Sequence, residues 1–232
     1  AMLGDTPYDA QSCKHSGVVC IGVLSGGFEE NELIRAGARQ VWRDAKDVLQ
    51  NLDEVLNVAS PTNISLTPEI QEQLMHAALH EARIGMQNGE APIGCVLADG
   101  DGHIIARGHN TMNASQNKTA HAEIVAFQNA AGKVPLDARD LILVSTLEPC
   151  VMCTGAAMEA AVDTIVFALR APADNGSTRV NPPQSPESQM PRIVGRVFES
   201  EARALFEEWL QRDLPEAQRK FGEQLLKLTP EV

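Results

Sequence analysis

Two short strings hold most of the chemistry in this chain: His121-Ala122-Glu123 and Pro149-Cys150-Val151-Met152-Cys153. A zinc ion that does chemistry commonly has three protein ligands and one position open to water, and His121, Cys150 and Cys153 are ligands of the right kind. Cys150 and Cys153 are three apart, so a helix places them on one face, where they can grip one ion. Pro149 suits the first position of that helix, which would put both thiols in its first turn. There the unpaired N–H groups and the helix dipole favour thiolate, the form that binds metal. His121 and Glu123 are two apart and would diverge within a helix body. At a helix entrance, His121 can reach the metal while Glu123 reaches its water, and Ile124, Val125, Ala126 and Phe127 fit a buried helix starting there. Zinc lowers the pKa of bound water to roughly 7, and a carboxylate beside it can take that proton and later deliver it to a leaving group. This equipment suits hydrolytic attack on an unsaturated ring carbon, with Glu123 as the catalytic acid and base.

A lone C-x-x-C also suits a thiol redox pair or half of a structural zinc ribbon. A ribbon needs a second pair, and Cys13, Cys20 and Cys95 do not form one. A structural site has no need of a carboxylate such as Glu123, which leaves a non-catalytic zinc-binding protein as the remote alternative.

The elements that must position these residues follow from periodicity and turn signals. Thr67-Pro68-Glu69 reads as an N-cap with Pro at the first helical position. The helix runs to about Met86, with Ile70, Leu74, Ala77, Ala78, Ala82 and Ile84 as its apolar stripe, and Asn88-Gly89 ends it. His76 and His80 on that helix have no third ligand nearby and read as an ordinary helix face. Pro92 to Leu97 and His103 to Ala106 form a hairpin around Asp99-Gly100-Asp101-Gly102. Leu141 to Ser145 is the strand leading to the Cys150 helix, and Thr164 to Leu169 the strand after it. Glu201 to Leu210 is a helix with Ala202, Leu205, Phe206, Trp209 and Leu210 inward, where Trp209 reads as core packing.

The order H-x-E then P-C-x-x-C is that of zinc nucleobase deaminases. The strings His121-Ala122-Glu123-Ile124 and Thr146-Leu147-Glu148-Pro149-Cys150-Val151-Met152-Cys153 resemble bacterial tRNA-adenosine deaminases and the related guanine and cytosine deaminases, over about Leu66 to Leu210. The resemblance implies an α/β fold, a three-layer α/β/α domain with a mixed five-stranded sheet, together with a Zn2+ cofactor and a homodimer. It also implies that Asn110, in Gly108-His109-Asn110, hydrogen-bonds the substrate; from the residues alone Asn110 equally reads as a turn cap. The Pro- and Ser-rich stretch from Ala171 to Arg192 follows the last of these strands, near the pocket mouth in that family, and reads as a substrate lid or a disordered insertion.

Residues 1–58 read differently. An apolar run from Val18 to Leu24, a polar helix from Glu29 to Ala36, a strand around Gln40 to Trp42 and a helix from Ala45 to Val55, with Val48, Leu49, Leu52 and Val55 inward, predict a small β-α-β-α unit ahead of the sheet domain. Gly4-Asp5-Thr6-Pro7-Tyr8-Asp9 resembles the C-terminal part of haloacid dehalogenase-type phosphatases, over about Leu3 to Leu52. That resemblance implies a vestigial magnesium site at Asp5 and Asp9. The family's nucleophilic aspartate lies upstream of this motif, so residues 1–58 are expected to be a truncated remnant without phosphatase activity. Asp99-Gly100-Asp101-Gly102 only superficially suggests that nucleophile and reads as the hairpin turn. A polar linker, 59–66, then leads to a deaminase-like domain, 67–232.

Composition limits the partners. The 232 residues are 44% hydrophobic and 22% charged, an ordinary globular balance. No apolar run is long enough to span a bilayer and no signal peptide is evident, so no membrane partner and a cytoplasmic location are expected. The net charge is −12. From Glu201 to Val232, seven acids stand against five bases, where anticodon-editing deaminases tend to carry a basic helix. A tRNA substrate is therefore disfavoured, with tRNA-specific adenosine deamination kept as the alternative. The expected substrate is a small-molecule base or nucleoside, guanine or cytosine leading.

Overall fold

The computed structural model describes residues 1–16, 18–52, 55, 64, 66–136, 138–172, 175–180 and 190–228. Two compact units divide the chain, Ala1–Asn63 and Ile64–Val232. The expected linker, 59–66, lies largely outside the described residues.

The first unit holds a parallel sheet of three strands, β1 (Met2–Gly4), β2 (Cys20–Val23) and β3 (Ala38–Trp42), in that order. Helices α1 (Pro7–His15) and α2 (Glu30–Ala36) bury Ala10, Cys13 and Leu33 with Cys20 and Ala38. Helix α3 (Ala45–Gln50) contributes Val48 to a second cluster with Ile21, Val23 and Val55. The strand and helix before residue 18 correct the expected β-α-β-α unit to β-α-β-α-β-α. The missed signal was a cap: the Asp9 carboxylate accepts from Asp5 N–H, Thr6 N–H and Thr6 Oγ1 at 3.2, 3.0 and 2.8 Å, which fixes the entry to α1. Helix α3 is interrupted at Asn51, whose Nδ2 donates back to the Asp47 carbonyl at 2.9 Å, and residues 52 and 55 are helical again. Leu49 and Leu52 stand exposed, while Val48 and Val55 are buried.

The second unit contains a five-stranded mixed sheet, ordered β5-β4-β6-β7-β8. These strands are β4 (Gly94–Ala98), β5 (Ile104–His109), β6 (Leu141–Leu147), β7 (Val162–Leu169) and β8 (Arg192–Val194). β4 runs antiparallel to β5 and β6, whereas β6, β7 and β8 are parallel. Side chains alternate between the two faces with the period of a strand. Val96, Ala98, Ile142, Val144 and Val166 pack with the long helix α4 (Pro68–Gln87). Cys95, Leu97, Leu143 and Ile165 pack on the other face, with Ala122, Ala126 and Ala157. This is the expected three-layer α/β/α arrangement.

Thr67 caps α4 through Oγ1, which accepts from Ile70 N–H at 3.3 Å, with Pro68 at the first position. Its buried stripe is Leu74, Met75, Ala78, Leu79, Ala82 and Met86. Ile84, expected inward, is only half-buried and belongs to neither core cluster. The hairpin turn is closed by Asp99 N–H to His103 O and Gly102 N–H to Asp99 O, so Asp99 is a turn residue as its Asp-Gly context implied. His76 packs edge-on against Phe198 at 4.9 Å between ring centres, an ordinary helix-face role. The helix Glu199–Leu210 adds Ala202, Leu205, Phe206 and Trp209 to the core. Among the described residues no helix is long and apolar enough to cross a membrane.

Candidate active site

The remaining helices in chain order are α5 (Met112–Ser115), α6 (Ala122–Asn129), α7 (Val151–Glu159), α8 (Gly176–Arg179), α9 (Glu199–Leu210) and α10 (Glu216–Leu228). His121 is the N-cap of α6 and Cys150 the N-cap of α7, both in extended backbone. Two helix entrances thus converge on one point, with their positive dipole ends toward it. Pro149 precedes the cap instead of opening the helix, which corrects the expected start by two positions. That shift lets the Cys150 thiol leave the helix axis and face His121, while Cys153 stays inside the first turn.

His121 Nδ1, Cys150 Sγ and Cys153 Sγ form a triangle with sides of 3.5 Å. Tetrahedral zinc with ligand distances of about 2.0–2.3 Å spans ligand-to-ligand edges of roughly 3.5–3.8 Å, so these three atoms match one face of such a site. Among the described residues the only other group of this kind is Asp99, Asp101 and His103, on the exposed hairpin turn, and it is all hard or exposed donors. Asp5 and Asp9 belong to no such group, and the Asp9 carboxylate is occupied by the α1 entry. Cys150 is pulled down to about 4 by the hydrogen bond from the Cys153 thiol and by His121. Cys153 is pushed up by the same bond and by burial. A divalent cation bound there would take the place of thiol protons.

Glu123 is buried at 3% exposure. Its Oε1 accepts from Ser145 Oγ on β6 at 2.9 Å, which orients the carboxylate. Burial pushes its pKa up, opposed by hydrogen bonds including the one from Ser145. Cys95, paired with Ser145 across β4 and β6, is itself raised by burial and by the Glu123 charge. Helix α6 can bring Glu123 this close to the sheet because Gly108 lacks a side chain: an added Cβ would lie 2.5 Å from both Ala122 O and Ala126 N.

Asn110, 5% exposed, holds the two parts together. Its Oδ1 accepts from Ala122 N–H at 3.1 Å, satisfying a free donor at the α6 entrance. Its Nδ2 has only the Met112 sulfur, at 3.9 Å. In place of the turn cap read from sequence, the amide bridges to the α6 entrance twelve residues along the chain, and its N–H remains available to a ligand. Glu90 Oε1 accepts from Asn113 N–H and Ala114 N–H, both at 2.9 Å, and so fixes α5.

These groups open into one pocket of about 460 Å³, a size suited to a base or nucleoside. Asn110, His121, Glu123 and Cys150 line it, as do Glu90, Glu148 and Trp209. Ala217, Gln218, Phe221 and Gln224 of α10 supply a further wall. The sequence reading missed this helix and Ser145. Phe221, Leu225 and Leu228, four and three apart, carried a helical signal for the first; no local signal pointed to the second. Trp209 is core, 1% exposed, and also borders the pocket. Ala171 and Pro172 border it as well, and Gly176 N–H donates to Pro149 O. The 181–189 part of the expected lid lies outside the described residues.

Residues 68–169 match the family described as the cytidine and deoxycytidylate deaminase zinc-binding region. That stretch is similar to a deaminase zinc-binding domain. The tRNA-specific adenosine deaminase of Streptococcus pyogenes serotype M18 is 41% identical over 100 residues, covering 43% of this chain and 62% of that protein. The chain spans less than two-thirds of the length of the curated relatives it matches. A structure from a study of A-to-I editing by tRNA:A34 deaminases at the wobble position of transfer RNA has a TM-score of 0.50 and 29% identity, covering 58% of this chain and 99% of that one. A guanine deaminase from Nitrosomonas europaea shares the fold, at a TM-score of 0.51 and 24% identity over 65% of this chain and 88% of that one. The matched residues include His121, Cys150 and Cys153, and this donor set fits zinc.

Proposed function

We propose that the chain is a zinc-dependent hydrolase that deaminates a free nucleobase or nucleoside, guanine or cytosine leading, with release of ammonia. The observation that carries this reading is Glu123, a buried carboxylate aimed by Ser145 into the same pocket as His121 and Cys150. Zinc, held by His121, Cys150 and Cys153, supplies Lewis acidity that makes a water acidic at neutral pH. Glu123 takes that proton and returns it to the exocyclic amine as the C–O bond forms and the C–N bond breaks. Asn110 Nδ2 donates to the ring and fixes its approach. N–H groups at the α7 entrance steady the charge that develops.

The second reading, deamination of adenosine in tRNA, is favoured by the names of the relatives. The acidic balance of residues 201–232 weighs against it. We further propose a homodimer acting in the cytoplasm, as the resemblance implies.

Ammonia release from zinc-loaded protein, measured against guanine, cytosine, adenine, their nucleosides and an adenosine-containing anticodon stem-loop, decides between the readings. Glu123→Ala should keep its zinc and lose about 10²–10⁴-fold in kcat; an unchanged rate would remove the role given to Glu123.

A further inference from the structure

The pocket wall contributed by α10 is a fixed part of the second unit. Leu225 is fully buried. Gly222 lies against Leu210, where an added Cβ would come within 2.9 Å of Cδ2. Phe221 meets Phe206 edge-on at 6.4 Å. Arg203 Nη1 donates to Leu226 O at 2.9 Å, and the Arg219 guanidinium donates to the carbonyls of Leu210 and Arg212, which ties it to the chain entering α10. A wall held at both ends can present side chains at defined places.

Two features of the pocket then bear on its ligand. Its described lining has three carboxylates, Glu90, Glu123 and Glu148, and no Lys or Arg. Zinc held by two thiolates and a neutral imidazole would add no net charge, so Glu90 and Glu123 keep the space negative. A phosphate drawn into it would meet repulsion in a medium of low dielectric, with no cation to pair it. The second feature is Gln218. It is half-buried, lines the pocket, and its side-chain amide has no hydrogen-bond partner among the described residues. Its neighbours on the wall, Ala217 and Phe221, are apolar. A neutral amide offers both a donor and an acceptor, the pattern needed by the edge of an uncharged heterocycle.

We propose that Gln218 is a specificity-determining residue that reads the polar edge of an uncharged base, and that the pocket excludes phosphorylated nucleotides. This rests on the deaminase reading for the identity of the site, but it concerns binding and is tested without turnover. In a Trp42→Phe background, Trp209 is the sole tryptophan and borders the pocket, so its emission reports occupancy. Zinc-loaded protein titrated with guanine and with cytosine should bind at least one of them, and the corresponding 5′-monophosphate should bind at least ten-fold more weakly. Gln218→Leu should weaken base binding about five- to ten-fold with zinc content unchanged. Gln218→Lys should narrow the gap between base and monophosphate. In steady-state assays Gln218→Leu should raise KM and leave kcat within about two-fold. Equal affinity for base and monophosphate, absence of binding to either base, or an unchanged Kd in Gln218→Leu would overturn the proposal. Binding with this preference but without ammonia release would instead overturn the catalytic reading and leave the binding assignment standing.

Discussion

Glu123 is costly to the fold where it stands. Burial raises its pKa, so the folded protein holds the proton more tightly than the unfolded chain does. That favours folding below the ordinary glutamate pKa, and the advantage is lost as pH rises through the raised value. In metal-free protein Glu123→Gln should therefore melt above wild type at neutral pH, with the gap closing below about pH 4. Thermal melts at the two pH values check it, and equal melting temperatures at neutral pH would mean that the carboxylate is solvated. Ser145 carries the companion prediction. Removing its hydroxyl in Ser145→Ala frees Glu123 to rotate, at a cost of about 1.5–3 kcal/mol for a bond to a charged group, or about 10- to 100-fold in kcat. KM and zinc content should hold, and Ser145→Thr should recover most of the rate. His121, Glu123, Cys150 and Cys153 were legible in the sequence because their chemistry depends on residue type and local spacing. Ser145 was not, because its role arises when β6 sets it against α6, twenty-two residues away along the chain.

At the scale of elements, strands and helices were legible wherever period and caps agreed, as at Thr67-Pro68. Errors arose where a side chain turned back on the backbone, as with Asp9 opening α1 and Asn51 interrupting α3. Such bonds depend on rotamers that periodicity does not encode. Close approach of helix to sheet was equally hidden, although the responsible Gly108 stands two residues before Asn110. Gly108→Ala should push α6 off β5, lowering stability by about 1–3 kcal/mol and weakening zinc binding through His121. Gly155, on α7, has nothing within 4 Å of where a Cβ would lie. Gly155→Ala should thus raise stability by about 0.5–1 kcal/mol through helix propensity. Denaturant titration of the two variants tests the contrast; a similar loss in both would show that the α6 contact is not special.

The whole molecule joins a small parallel-sheet unit to the larger unit that carries the zinc-ligand set, and each holds one tryptophan, Trp42 and Trp209. The net charge of −12 belongs to the entire chain and says little about any one pocket, which is why the described lining carried more information about the substrate than the total did. Zinc should act on the second unit alone, because all three ligands lie within it. A ligand that binds only the folded state stabilises it by RT ln(1 + [L]/Kd), about 2.7 kcal/mol at a hundred-fold excess over Kd. For a domain of this size that corresponds to roughly 5–10 °C in Tm. In Trp42→Phe protein, where Trp209 alone reports, stripping the metal with a chelator should lower the fluorescence midpoint by this amount, and added zinc should restore it. Cys153→Ala, which removes one ligand from the first turn of α7, should melt near the chelated wild type and lose most of its response to zinc. A full zinc response in that variant would place the ion elsewhere in the chain, and with it the acidity on which Glu123 acts.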